Sequence, residues 1–150
     1  MIRDEIKTAL VAAMKARDAT TTAAIRLIQS SIKNRDIELR TATTQPDDDL
    51  LVTEVLQKMI KQRRESIEMY EKGNRPDLAA AEAAEVAVIE RFLPQQMSED
   101  EAKAAIDALA TELGAESVKD MGRVMAALKE RFAGQMDFGK ASGLVKARLG

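Results

Sequence analysis

The sequence predicts an all-α protein: a long N-terminal helical hairpin or bundle followed by a small three-helix tail domain. Three observations predict it. Apolar residues recur at helical spacing along nearly the whole chain. The breaks between those stretches carry residues that start or stop helices. Two of the N-terminal stretches are far longer than the mean helix of about 11–12 residues.

Ile2, Ile6, Leu10 and Met14 recur every fourth residue, so the first helix is expected to reach about Arg17. Asp18 and the Thr cluster after it punctuate the chain. The second helix carries Ile25, Ile28, Ile32 and Leu39 on one side and ends in "TATTQPDDDL". There Pro46 disfavours helix at Gln45. Asp47, Asp48 and Asp49 offer a capping oxygen and negative charge to the third helix. That helix is expected to run to Lys72 and stop at Gly73-Asn74. Pro76 suits the first turn of a fourth helix and Pro94 closes it.

"LPQQ", Leu93 to Gln96, is the expected boundary between a domain over 1–93 and a tail over 97–150. In the tail, Ser98 and Glu101 match a capping box, and Gly114 ends that helix. Ser117 opens the next, with Val118, Met121, Met125, Leu128 and Phe132 on one face. Gly134 breaks it, and Asp137 can cap a last helix holding Leu144, Val145 and Leu149.

Composition closes several functional classes. The chain has no Cys and no His, which excludes disulfides, thiol nucleophiles and Ser-His-Asp triads. The aromatic residues are Tyr70, Phe92, Phe132 and Phe138, too few for a base-stacking platform. No apolar run approaches the ~20 residues of a membrane span. The N-terminal stretch carries Asp4 and Glu5 and lacks a small-residue cleavage pattern, so cytoplasm is the expected compartment. Residues 1–93 hold 15 basic and 16 acidic side chains, and residues 94–150 hold 8 and 9. Neither part has the basicity of a dedicated DNA-binding domain, and no DNA sequence recognition is expected.

Charge is nevertheless clustered. "QKMIKQRRES" holds Lys58, Lys61, Arg63 and Arg64. At about 100° per residue, Arg63 falls on the apolar face with Val52, Val55, Leu56 and Met59. Lys58, Lys61 and Arg64 point outward, one turn from Glu54, Glu65 and Glu68, as a solvated face. Arg35 falls among Ile28, Ile32 and Leu39 in the same way. Both inward arginines need carboxylate partners, and the fourth helix offers Glu82, Glu85 and Glu90.

Arg26, Lys33 and Arg40 recur every seventh residue, a stripe along the outer face of the second helix with no acid in it. Such a stripe can follow phosphates by charge. In the tail, Lys119 and Arg123 share a face, and Lys140 stands at a helix start where free N–H groups favour anions.

The stretches "IRLIQSSIKNRDIELR", "VLQKMIKQRRESIEMYEKGNRPDLAAAEAAEVAVIERFLPQQMSEDE", "VKDMGRVMAALKERF" and "FGKASGLVKARL" resemble the GatB/YqeY family of YqeY-like proteins, in the family's order. The family is similar to the C-terminal helical and tail region of the B subunit of the glutamine-dependent tRNA amidotransferase. The resemblance implies an all-α fold, contact with tRNA, and Lys119, Arg123, Lys140 and Lys146 as tail contacts. It also implies amidotransferase subunits as partners and the label of a carbon–nitrogen ligase with glutamine as amide donor. The chain has no Gly-rich phosphate loop and no glutaminase constellation, so no catalytic residue, cofactor or metal is assigned. Three readings stand: a tRNA-associated accessory or binding protein, an amidotransferase component acting with partner subunits, and a helical interaction module without RNA.

Overall fold

The computed structural model describes residues 1–150 and is all-α. By backbone contacts the chain divides into two compact units, Met1–Leu93 and Pro94–Gly150. No helix is long and apolar enough to cross a membrane.

Unit 1 holds α1 (Ile2–Lys15), α2 (Ala19–Glu38), α3 (Asp48–Lys72) and α4 (Pro76–Glu90). α3 and α4 form the most extensive pair, and α2 packs on α1, α3 and α4. Ile25, Ile28, Val52, Leu56 and Ile89 are fully buried in its core. The turn between α3 and α4 closes as the residues require: Asn74 takes the left-handed conformation, and the Arg75 N–H donates to the Tyr70 carbonyl.

The stripe on α1 differs from the four-residue repeat. Ile6 and Ala13 are buried, Ile2, Ala9 and Leu10 pack beside them, and Met14 is 52% exposed. A step of four residues overshoots a turn by about 40°, so three steps carry Met14 about 120° off the face. Alternating steps of four and three keep Ala13 on it.

The three aspartates before α3 do more than cap. Asp47 accepts from the Leu50 N–H. Asp49 accepts from the Ile2 N–H at 3.0 Å. Asp48 joins Asp36 of α2 in gripping the Arg3 guanidinium, with N–O distances of 2.8–3.2 Å. One arginine thereby ties α1 to the end of α2 and the start of α3. The Arg3 guanidinium holds the Asp48 carboxyl below the usual carboxylate range, and its own pKa is raised.

A depressed carboxyl stabilises the fold above the unfolded value, near pH 4, and loses that contribution as pH falls through the folded value. Acid is therefore expected to loosen α1. Protection of α1 amides against hydrogen exchange should fall below pH 4 in the native chain, and in Asp48→Asn it should be reduced at neutral pH as well. Identical α1 protection in the two proteins at pH 7 would remove the clamp from consideration.

The inward arginines divide. Arg63 is 15% exposed and donates through Nε to Glu85 at 2.8 Å, with Glu82 at 4.0 Å. Arg35 corrects the expectation: its side chain is 43% exposed and pairs with Glu38 of its own helix. Across the α2–α3 groove α3 presents Val55 and Met59 together with Lys58 and Gln62, and no carboxylate, while Glu82 and Glu85 lie beside Arg63. The apolar stem of Arg35 can cover that floor while its head stays wet. Glu90 takes Arg64 at 3.0 Å, and Glu68 takes Lys72 at 3.1 Å, so the predicted Arg64–Glu68 pair does not form. Lys58 and Lys61 are likewise outside any ion pair. Exposed pairs within a helix are worth a few tenths of a kcal/mol, too little to fix such choices.

Unit 2 holds α5 (Glu99–Leu113), α6 (Met121–Arg131) and α7 (Phe138–Leu149) around Ile106, Leu109, Val124, Leu128 and Val145. The Ser98–Glu101 capping box is complete, and Gly114 ends α5 in the left-handed conformation. Ser117 caps a 3-10 turn, Val118–Asp120, and not the helix itself. Val118 is consequently exposed, and Val124 is the buried residue of α6 together with Leu128. Met121, Met125 and Phe132 pack at the margin.

Candidate functional site

The candidate cations of unit 1 sit on α2 and the 3-10 turn that follows it. Asp18 fixes the start of α2 by accepting from the Thr21 N–H and hydroxyl. Arg26 and Lys33 then stand two turns apart, both exposed. Arg40 is also exposed, but it belongs to the turn Leu39–Thr41 and not to the helix. The stripe is thus regular for two members and continues onto an irregular third. None of the three is in an ion pair, unlike Arg3, Arg35, Arg63 and Arg64 of the same unit.

Beside Lys33 the structure opens a cavity of about 190 Å³ between α1 and α2. Its rim is polar: Arg3 and Lys7 from α1, Gln29, Lys33 and Asp36 from α2. Ile6 and Ile32 form its floor. Arg3 and Asp36 satisfy each other there, whereas Lys7 and Lys33 are in no ion pair. Lys7 and Gln29 are absent from the sequence-derived set. The usable signal was the i, i+4 spacing of Arg3 and Lys7, which places both on one side of α1.

The tail cations have unequal freedom. Lys119 lies in the 3-10 turn and Lys146 near the end of α7; both are exposed and without an ion pair. Arg123 is already occupied. It pairs with Asp120 at 2.9 Å and donates to the Leu113 carbonyl at the end of α5. The Glu116 N–H, with Arg123 second, holds the Asp120 carboxyl below its ordinary range. Lys140 stands in the first turn of α7, but that helix start is not open to anions. Asp137 accepts there from the Gly139 and Lys140 N–H groups, placing a carboxylate where a phosphate would need them. Lys140 and Lys146 are six residues apart, about 120° around the helix, so they do not share a face.

Arg131 and Glu112 make a two-bond pair between α6 and α5, and Arg148 pairs with Asp107 between α7 and α5. Glu112 is held below its usual range by Arg131, whose own pKa is raised in turn. Three of the tail's eight cations, Arg123, Arg131 and Arg148, thus tie its helices together. No group of carboxylates is arranged to hold a metal ion.

A family model described as Yqey-like protein matches residues 3–149. The chain is 36% identical over 110 residues to a Lachancea thermotolerans protein named Altered inheritance of mitochondria protein 41, mitochondrial, covering 72% of this chain and 57% of that protein. It is 32% identical over 120 residues to the protein of the same name from Saccharomyces cerevisiae, covering 76% of this chain and 63% of the relative. An uncharacterised Schizosaccharomyces pombe protein is 32% identical over 93 residues, covering 62% and 72%. The chain thus spans about three fifths of the length of the first two relatives.

The names of the Lachancea and Saccharomyces relatives correct the cytoplasmic expectation, because both are named as mitochondrial. That expectation rested on charge and hydropathy at the N-terminus. An organelle address is read by receptors, and the composition of a folded helical domain does not report it.

Proposed function

The chain belongs to the YqeY-like family, and from that premise we propose that it is a tRNA-associated accessory protein that holds RNA by charge and shape. The observation that carries this reading is the set Arg26, Lys33 and Arg40: all three are exposed and outside every ion pair, and the one acid nearest Lys33, Asp36, is already held by Arg3. Cations left free in a chain of net charge −2 are available to a polyanion at no cost in broken pairs. Aromatic stacking contributes little, because Phe92 is buried and the few other aromatics are partly buried.

Filter binding of unfractionated tRNA at several salt concentrations tests the proposal. Three phosphate contacts give a log–log slope of roughly −2 to −3. Alanine at Arg26, Lys33 and Arg40 together should remove most of the slope without a change in helicity. A native chain that leaves tRNA unbound at low salt would end the stand-alone RNA reading. Co-purification with tRNA amidotransferase subunits would then favour the component of a carbon–nitrogen ligase, and its absence a helical interaction module.

A further inference from the structure

We propose that the α1–α2 cavity is a seat for one phosphate group, gripped by Lys7 and Lys33 and hydrogen-bonded by Gln29. This rests on the RNA reading for its source, a backbone phosphodiester, and the same chemistry would accept a free phosphate.

Four features fit a phosphate. The cavity holds about 190 Å³, well above the ~30 Å³ of a single water. Lys7 and Lys33 reach its rim from different helices, so their charges converge without sharing a backbone segment. Ammonium groups on flexible stems can turn inward onto an oxyanion as point charges. The floor of Ile6 and Ile32 is apolar and excludes water on one side, which strengthens attraction at the rim.

Asp36 is the one acid on the rim, and Arg3 meets both of its oxygens, at 2.9 and 3.1 Å. Asp48 grips the same guanidinium from α3, outside the cavity lining. Arg3 therefore acts as a screened wall that fixes the distance between α1 and α2, and the two lysines carry the free charge. Gln29 is half-buried between them and supplies two N–H donors with no charge of its own. A phosphodiester seated here would lie beside Lys33, so the chain of phosphates can continue along Arg26 or Arg40.

Lys7→Ala isolates the seat, because Lys7 lies outside the α2 stripe. Lys61→Ala serves as control, an exposed lysine of α3 that is in no ion pair. In tRNA titrations over salt, Lys7→Ala should reduce the slope by about one unit and Lys61→Ala should leave it unchanged. In parallel, inorganic phosphate is titrated into the native chain while amide and side-chain NMR signals are followed. Saturable shifts centred on Lys7, Gln29 and Lys33 are expected, and Lys7→Ala should abolish them.

The arms separate the two readings. If tRNA binds and Lys7→Ala behaves like Lys61→Ala, the seat is wrong and the RNA reading stands. If tRNA fails to bind while phosphate shifts those three residues, the seat is right and its source is a free phosphate. If neither probe binds, both readings fall.

Discussion

Replacing Arg63 by alanine is expected to destabilise unit 1 by about 2–4 kcal/mol, near the lower part of the range for breaking a buried pair. The guanidinium faces Glu85 at 2.8 Å and Glu82 at 4.0 Å, and its Nη1 donates to the Met59 carbonyl at 3.4 Å. Removing it leaves two carboxylates one turn apart on α4, each about two-thirds or more shielded from water. They repel one another, and neither regains full hydration. The remaining exposure of the glutamates keeps the loss below that of a fully enclosed pair. Urea unfolding followed by helicity reads the loss directly. Pairing Arg63→Met with Glu82→Gln and Glu85→Gln should recover more than half of it, since neutral groups need no counter-charge. An Arg63→Ala protein within about 0.5 kcal/mol of native, the usual scale of surface changes, would mean that the pair is only ornamental.

A larger loss is expected from Ile28→Ala, about 3–5 kcal/mol, through lost transfer energy and the cavity left behind. Ile28 is fully buried on α2, the helix that touches each of the other three in unit 1. Leu128→Ala is the matching change in unit 2, fully buried between α6 and its neighbours. Each variant should lower one unfolding transition and leave the other in place. A single transition that shifts in both proteins would show that the units fold as one body.

Most of the fold was legible because its punctuation is local. Asp18, Asp47, Ser98, Gly114 and Asp137 act within three residues of themselves, and each does in the structure what its type suggests. What escaped depends on partners distant in sequence. Asp48 and Asp49 read as helix-dipole charges, yet their partners are Arg3 and the Ile2 N–H, more than forty residues earlier. Arg35 has the right phase to point inward, but phase cannot report that α3 leaves a groove at that level. At the candidate site, the α2 cations were visible as a seven-residue repeat. Lys7 was not, because its role needs the α1–α2 pairing to be known. Arg123 and Lys140 were visible as charges, but not as groups whose surroundings Asp120 and Asp137 already occupy.

The Arg3 clamp also sets an order in time. α1 leaves the ribosome before α2 and α3, yet the carboxylates that fasten it, Asp36, Asp48 and Asp49, the last accepting from the Ile2 backbone N–H, lie 33 to 47 residues further along the chain. A single fourteen-residue helix is marginal in water by itself. Closing a loop of more than forty residues back to it carries an entropy cost that local turns do not. α1 is thus made before the groups that clamp it, and both α2 and α3 must be in place before the Arg3 clamp can close.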